Sequence, residues 1–519
     1  MLIDARQLEQ GDVIDADICI IGAGAAGITI AREFTGGSTQ VALLESGGLA
    51  FDEKTQSLYQ GENIGLPSFD VDVNRLRYFG GTTNHWAGHC RPLDAIDFEQ
   101  RNWISHSGWP ISRHDLDPYY LRAQPIVGLG PYEYENLDFW RNKIKLPELE
   151  LDKNRLNTVV YNQSPPTRFG QVYRHELEQA DNIKVYLNAN VLEIQTADNA
   201  AEVTGLKLAC IDGPTFSAKA KLFILATGGM ENARLLLLSD RNHTKGLGND
   251  NDLVGRYFMD HILLRPGADV SLSDPNVDLS LYSALHRVHD SQMFAILASP
   301  EALLRKERLN NFRIHLLRRK PAYPAPVGRI MSRIDKVHGT LDVNEREAGQ
   351  KQPGLDEHEL RKVGRDAISL HMVLEPTPNP DSRITLSNQT DFFGQRKLDV
   401  NWQIDHKDLS ICYRAMELAA LEFGRLGLGR AYGAIFADAA HWPGNLEAGR
   451  HHCGTTRMTG DPKTGVVDLN CKINTVSNLY VAGSSVFPTI GYANPTLSIV
   501  ALALRLADHI RERLHGRQA

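Results

Sequence analysis

The chain has 519 residues, 42% of them hydrophobic and 23% charged, with a formal charge of −7 at pH 7. That length exceeds what one ordinary hydrophobic core serves, so two or more domains are expected. The mild acidic balance gives no basic footprint for nucleic acid or an acidic membrane. Met1 to Asp17 is mixed and polar, without the basic and apolar parts of an export signal. The longest apolar helix, Leu497 to Ala507, is interrupted by Ser498 and Arg505 and is too short to span a bilayer. Six scattered cysteines (Cys19, Cys90, Cys210, Cys412, Cys453 and Cys471) show no C-x-x-C and no zinc spacing. A cytoplasmic protein without a disulfide framework or bound metal is expected.

The first informative stretch is Asp15 to Arg32. Ile18 to Ile21 is a short apolar run, the shape of a strand buried on both faces. It enters Gly22-x-Gly24-x-x-Gly27 and then an apolar-periodic helix starting near Ala25 and Ala26. In this turn the first glycine permits the tight bend, the second lets backbone approach a pyrophosphate, and the third lets helix and strand pack closely. The positive end of the helix suits the pyrophosphate charge. Val41 to Leu44 supplies a second strand, followed by Glu45 and Ser46. Glu45, eighteen positions after Gly27, is placed to accept hydrogen bonds from a ribose. Strand, turn, helix and acid together predict dinucleotide binding.

From Phe51 to about Tyr134 the pattern is irregular, which in a stretch of this length points to a lid or cofactor loop. Within it, Gly80-Gly81-Thr82-Thr83-Asn84-His85-Trp86 offers a backbone that can press on a planar ligand; a plain surface turn is the alternative. Ser112 to Val127 reads as a helix with Ser112 as N-cap. Strands follow over Lys184 to Leu187, Ala189 to Gln195 (containing Val191) and Val203 to Leu208. Lys221 to Ala226 is a further buried strand, leading through Thr227-Gly228-Gly229 into a helix from Glu231 to Leu238. Between Ile262 and Leu446 the character changes. Strands are expected at Arg383 to Leu386 and Lys397 to Trp402, with turn chemistry at Asp391 to Gly394. An amphipathic helix is expected over Leu409 to Leu426, and an exposed basic, Pro-rich stretch over Pro321 to Gly354. This division predicts a discontinuous nucleotide domain (residues 1–95, 180–261 and 447–519), a lid or connecting insertion (96–179) and a substrate domain (262–446).

The C-terminal part opens with His451-His452-Cys453-Gly454-Thr455. A strand over Asn478 to Ala482 then meets Gly483-Ser484-Ser485. Asn494 stands as a natural N-cap before Pro495 and Thr496, at the start of the last helix. That helix end could stabilise negative charge on a reduced cofactor. Three adjacent ligand-type residues in extended chain point to alternating sides, so a metal at His451 to Cys453 is not expected.

At these places together the sequence resembles the glucose–methanol–choline (GMC) family of FAD-dependent oxidoreductases. The Gly22 fingerprint, the Gly80-Gly81-Thr82 loop, Ala226-Thr-Gly-Gly-Met-Glu-Asn-Ala-Arg-Leu, Val254-Gly255-Arg256-x-Phe258-x-x-His261 and the C-terminal cluster stand in family order. His451 and Asn494, forty-three positions apart, match the spacing of the family's catalytic pair. Asn494 in place of histidine and the His85-Trp86 loop resemble the pyranose oxidase branch and related bacterial sugar and glycoside oxidases and dehydrogenases. One departure is Ala482-Gly483-Ser484 where many members carry Asp-Gly.

The resemblance implies an α/β fold: a Rossmann-like FAD-binding domain, of the type shared with p-hydroxybenzoate hydroxylase, and a second sheet-plus-helices substrate domain. It implies FAD bound by Gly22, Gly24, Ala25, Ala26, Glu45, Ser46, Gly80, Gly81, Asn84, His85, Val191, Ala226, Gly483, Asn494 and Thr496, with His85 a candidate for covalent attachment. The implied reaction oxidises a secondary alcohol of a sugar, glycoside or polyol to a ketone by hydride transfer to the flavin. His451 is then the general base, and Asn494 orients the hydroxyl. Dioxygen, a quinone or a small dye-like molecule would accept the electrons, and an oligomer is compatible. The alternatives are an FAD-containing lyase of the hydroxynitrile-lyase kind and an oxidase of a non-sugar natural-product alcohol.

Overall fold

A computed structural model describes residues 1–65, 70–318, 367–433 and 445–516. The predicted first strand starts earlier than its apolar run, at Val13, and reaches Ile21. The added residues mix apolar side chains with Asp15 and Asp17, and they join because Thr215–Leu225 runs parallel beside them, pairing Ser217 with Val13 and Leu225 with Ile21. Around this pair the sheet order is Leu2–Asp4, Ile183–Leu187, Val41–Leu44, Val13–Ile21, Thr215–Leu225, Val203–Ala209 and Asn190–Thr196, with Leu479–Val481 also on Thr215–Leu225. The first five strands are mutually parallel and the last two antiparallel. Parallel strands buried on both faces need helices as cover. Here Ala25–Arg32 and the C-terminal helix Thr496–His515 pack on one another. In an open parallel sheet the ligand crevice lies beyond the carboxyl ends of the strands. Gly22, Glu45, Ala226 and Ala482-Gly483 stand at those ends.

A second, antiparallel sheet runs Gly429–Tyr432, Ile262–Leu272, Ala367–Leu374, Phe312–Arg318, Ser291–Ala298, Asn157–Gln163 and His89–Cys90. Its strands alternate with period two, as a sheet with two different faces must. Phe312, Ile314 and Leu316 face a core that also holds Ile368, Leu370 and Leu374. The helix His406–Arg425 closes that core with Ile411, Ala415, Met416 and Phe423. It begins ahead of the expected Leu409 because Asp405 caps it, accepting from Lys407 N–H at 2.8 Å. The odd-numbered residues between, Arg313, His315 and Leu317, face away from the core and line a cavity. Arg383–Thr390 and Arg396–Asn401 pair antiparallel, with Gly61–Asn63 alongside as a separate three-stranded sheet.

Segment 96–179 contributes to both halves. Its strand Asn157–Gln163 belongs to the second sheet, while its helix Arg113–Ile126 packs on Thr496–His515. Ser112 caps that helix as expected: its hydroxyl accepts from Asp115 N–H at 3.3 Å, and Asp115 accepts in return from Ser112 N–H at 2.8 Å. All six cysteines are buried and unpaired. No described helix is long and apolar enough to cross a membrane. The basic stretch Pro321 to Gly354 lies outside the described residues.

Candidate active site

A cavity of about 1970 Å³ is lined from both sheets. At one end the glycine turn supplies Gly22 and Gly24, and the helix start supplies Ala25 and Ala26. A Cβ added at Gly24 would meet nothing within 4 Å, so that position opens onto free space. At Gly27, by contrast, a Cβ would lie 1.9 Å from the Gly22 carbonyl oxygen. Gly27 is therefore required by packing, while Gly24 leaves the room that the expected approach of a pyrophosphate would need.

Glu45 and Ser46 line the same end. Glu45 is only 6% exposed, and its oxygens accept from Ala23 N–H at 3.0 Å and Gly47 N–H at 2.9 Å. Burial raises its pKa, against the pull of those two bonds. The acid thus braces the glycine turn, and its remaining lone pairs are available to a ribose. Gly81, His85, Val191, Ala226, Gly483 and Thr496 also line the cavity. Burial, then the charges of Arg450 and Arg168, hold the His85 imidazole below its ordinary range, which keeps it neutral.

Two expected cofactor residues do not reach the cavity. Gly80 (φ 95°) packs on the short helix Phe169–Val172 so closely that a Cβ would lie 2.7 Å from Gly170 N. Asn84 turns inward and donates from Nδ2 to the Phe79 carbonyl at 3.0 Å. Both shape the loop that presents Gly81 and His85.

The far end of the turn-and-helix side carries His451 and Asn494. Asn494 Nδ2 stands 3.1 Å from His451 Nε2, and Asn494 Oδ1 accepts from Arg313 Nη2 at 2.9 Å. The expected N-cap role of Asn494 is not what the structure holds: Pro495 occupies the cap position, and no side chain caps the helix. A charge-assisted bond from a guanidinium outweighs a cap.

The protonation pattern of this chain follows from its ends. Arg313 can only donate, so the Asn494 oxygen faces it and the amide NH₂ faces His451. His451 Nε2 is therefore the acceptor. At the other end, His261 Nε2 lies 2.9 Å from the Gly491 carbonyl, which only accepts, so His261 carries its proton there. Its Nδ1 then accepts from His451 Nδ1, 2.8 Å away. Both imidazoles are neutral: burial holds His261 down at about 3, and burial with His261 and Arg313 holds His451 well below its usual range. The lone pair on His451 Nε2 consequently faces the cavity side, where Asn494 stands.

Asp260 fixes the His451 backbone from behind. It is fully buried and accepts from His451 N–H at 2.7 Å and Arg450 N–H at 2.9 Å. Burial pushes its carboxyl up to about 7, opposed by these backbone bonds. His452 is 8% exposed, stacks on Phe258 at 5.8 Å and also borders the cavity. Asn232, in the Gly-Gly-Met-Glu-Asn stretch, ties the cofactor-side loops together. It donates to the Ala482 carbonyl at 3.1 Å and Ser485 Oγ at 2.8 Å, and accepts from Thr227 N–H at 2.8 Å.

Sequence reasoning missed the cavity face of the second sheet. Arg313, His315 and His371, with His89 and Phe294, line the cavity opposite the glycine turn. His315 and His371 are register partners on neighbouring strands, and His89 packs edge-on to Phe294 at 4.9 Å. Burial, then Arg313, depresses both His89 and His315. The signal was present: Arg313-x-His315 places polar residues at period two on an otherwise apolar strand.

Residues 378–503 match the model of a family described as GMC oxidoreductase. The fructose dehydrogenase large subunit of Gluconobacter japonicus is 24% identical, over 96% of this chain and 98% of that one. A C-glycoside 3-oxidase of Arthrobacter globiformis is 32% identical over a shorter span, 26% of this chain and 25% of its own. Among solved structures, formate oxidase superposes with a TM-score of 0.58 at 17% identity, covering 99% of this chain and 100% of the other. The shared fold is an FAD-type Rossmann-like domain with a second sheet.

Proposed function

We propose that the chain, whose residues 378–503 match the GMC oxidoreductase model, oxidises a secondary alcohol of a sugar, glycoside or polyol to a ketone, with FAD as cofactor and dioxygen or a quinone as acceptor. One observation carries the reading: His451 and Asn494, hydrogen-bonded at 3.1 Å, border a cavity that runs to a dinucleotide cradle. Relatives named for fructose and for C-glycosides support the substrate class.

The residues present fit FAD. Gly22, Gly24, Ala25 and Ala26 would hold the pyrophosphate, Glu45 the ribose, and Gly81, His85, Gly483 and Thr496 the flavin end. Bound FAD supplies the hydride acceptor that no side chain offers. The chain does the rest. A substrate hydroxyl entering between His451 and Asn494 exchanges their mutual bond for one to each. Nε2 of His451 takes the hydroxyl proton, while Asn494 Nδ2–H holds the oxygen and so fixes the carbon. His261 keeps the proton of His451 on Nδ1, and Arg313 keeps the Asn494 amide from flipping.

Two measurements test this. The purified protein is expected to be yellow, and a sugar or polyol substrate added without oxygen is expected to bleach it. A flavin that never bleaches with any alcohol would leave only a non-redox role. After acid precipitation, colour in the pellet would establish covalent attachment, and His85→Ala should then release it. Gly24→Val separates cofactor binding from folding, since φ there is −87° and a Cβ at this position meets nothing within 4 Å. Its thermal stability is expected to stay close to wild type while the flavin-to-protein ratio falls at least tenfold.

A further inference from the structure

Arg313 is 3% exposed, and of its nitrogens Nη2 is the one engaged, by Asn494. Nε and Nη1 are buried without hydrogen-bond partners. Its guanidinium lies 4.6 Å from the centre of the Tyr161 ring, and no carboxylate among the described residues pairs with it. A buried, unpaired cation is costly, and proteins ordinarily supply it with an anion.

The rest of this cavity face leans the same way. Arg265 and Arg287 line it, with Glu447 the facing carboxylate, 3.8 Å from Arg265. The other carboxylates lining the cavity are engaged at the nucleotide end: Glu45 by backbone N–H groups, Glu231 by Arg75 at 2.8 Å and Asp391 by Arg234 at 2.7 Å. His89 and His315, held neutral by burial, and His371 beside them add imidazole nitrogens that suit hydroxyls and bring no negative charge.

We propose, resting on the oxidoreductase reading above, that the substrate carries a carboxylate beside the reacting alcohol and that Arg313 recognises it. The substrate is thus a carboxylated sugar or polyol. One uncompensated guanidinium matches one negative charge, so a monoanionic carboxylate fits better than a phosphate dianion. Buried charges are screened less than exposed ones, so the field of that guanidinium reaches the position next to Asn494. Arg313 would then have two tasks, holding the Asn494 amide and holding the substrate acid.

Isothermal titration of the holoprotein with matched pairs tests this: D-glucuronate against D-glucuronamide, and D-gluconate against D-glucitol. At least one acid is expected to bind tenfold or more tightly than its neutral partner, and Arg313→Gln should bring that ratio within twofold. Equal binding within both pairs, or no binding by either acid, overturns the proposal on the wild type alone, whether or not the variant folds. A preference that survives in a folded Arg313→Gln, judged by retained flavin absorbance, also overturns it. The parent reading fails separately. Bleaching by a neutral polyol without acid preference would sink the carboxylate and leave the oxidoreductase, whereas acid binding with no bleaching by any alcohol would do the reverse.

Discussion

His451→Gln is expected to lower kcat by about 10²- to 10⁴-fold while the flavin spectrum stays unchanged. Glutamine keeps a hydrogen-bonding side chain near Asn494 but cannot take up the hydroxyl proton. A general base loses its use when protonated, and here burial, His261, Arg313, His452 and Arg265 all disfavour the imidazolium. The sign for pH follows. The folded pKa lies below the ordinary histidine value, so the base is neutral throughout neutral and alkaline pH. An acidic limb in kcat/KM is expected only below about pH 6.5. The same shift gives stability that is full above that value and declines as pH falls, because the unfolded chain binds the proton first. His261→Phe supplies the positioning control. It removes the acceptor for Nδ1–H of His451, so the tautomer is no longer fixed and the acidic limb should move. A drop in kcat with an unmoved pH profile would assign His261 a packing role alone.

The largest expected stability effect lies away from the base. Arg101 and Glu375 are both 0% exposed and form two hydrogen bonds, of 2.8 and 2.6 Å. Arg101→Met strands a carboxylate in the interior, expected to cost about 3–5 kcal/mol, read as a fall in the urea midpoint. The double variant Arg101→Met, Glu375→Leu should recover most of it, since removing both charges removes the desolvation problem. A single variant as stable as wild type would show that Glu375 reaches water or another donor. The pair also bears on the site. Glu375 accepts from Asn311 N–H at 3.1 Å, and Asn311 donates to Asp97 at 3.0 Å. Asp97 in turn packs on Gly491, where a Cβ would lie 2.2 Å from its Oδ2. Gly491 is the residue whose carbonyl fixes the His261 tautomer, so flavin-reduction rates should fall along with stability.

The parts whose physics is local were readable from the amino-acid order alone. Gly22, Gly24 and Gly27 need one another only across a single turn, and Val41 to Glu45 is a buried strand with an acid at its end. The cofactor half was accordingly legible, as were the helix over Glu231–Leu238 and the Ser112 cap. That His451 and Asn494 belong together was suggested by their spacing and family resemblance, but their hydrogen bond at the cavity was not readable there. Tertiary structure decided that Asn494 binds Arg313 and His451 and does not cap its helix. It also turned Gly80 and Asn84 into loop-shaping residues and took the two strands around Asp391 out of the large sheet. Above all it assembled the cavity face from His89, Arg313, His315 and His371. These residues lie on three strands far apart in sequence, and each alone resembles an ordinary polar residue on a half-buried strand. Period two shows that such a residue leaves the core, but only the register between strands decides what it faces.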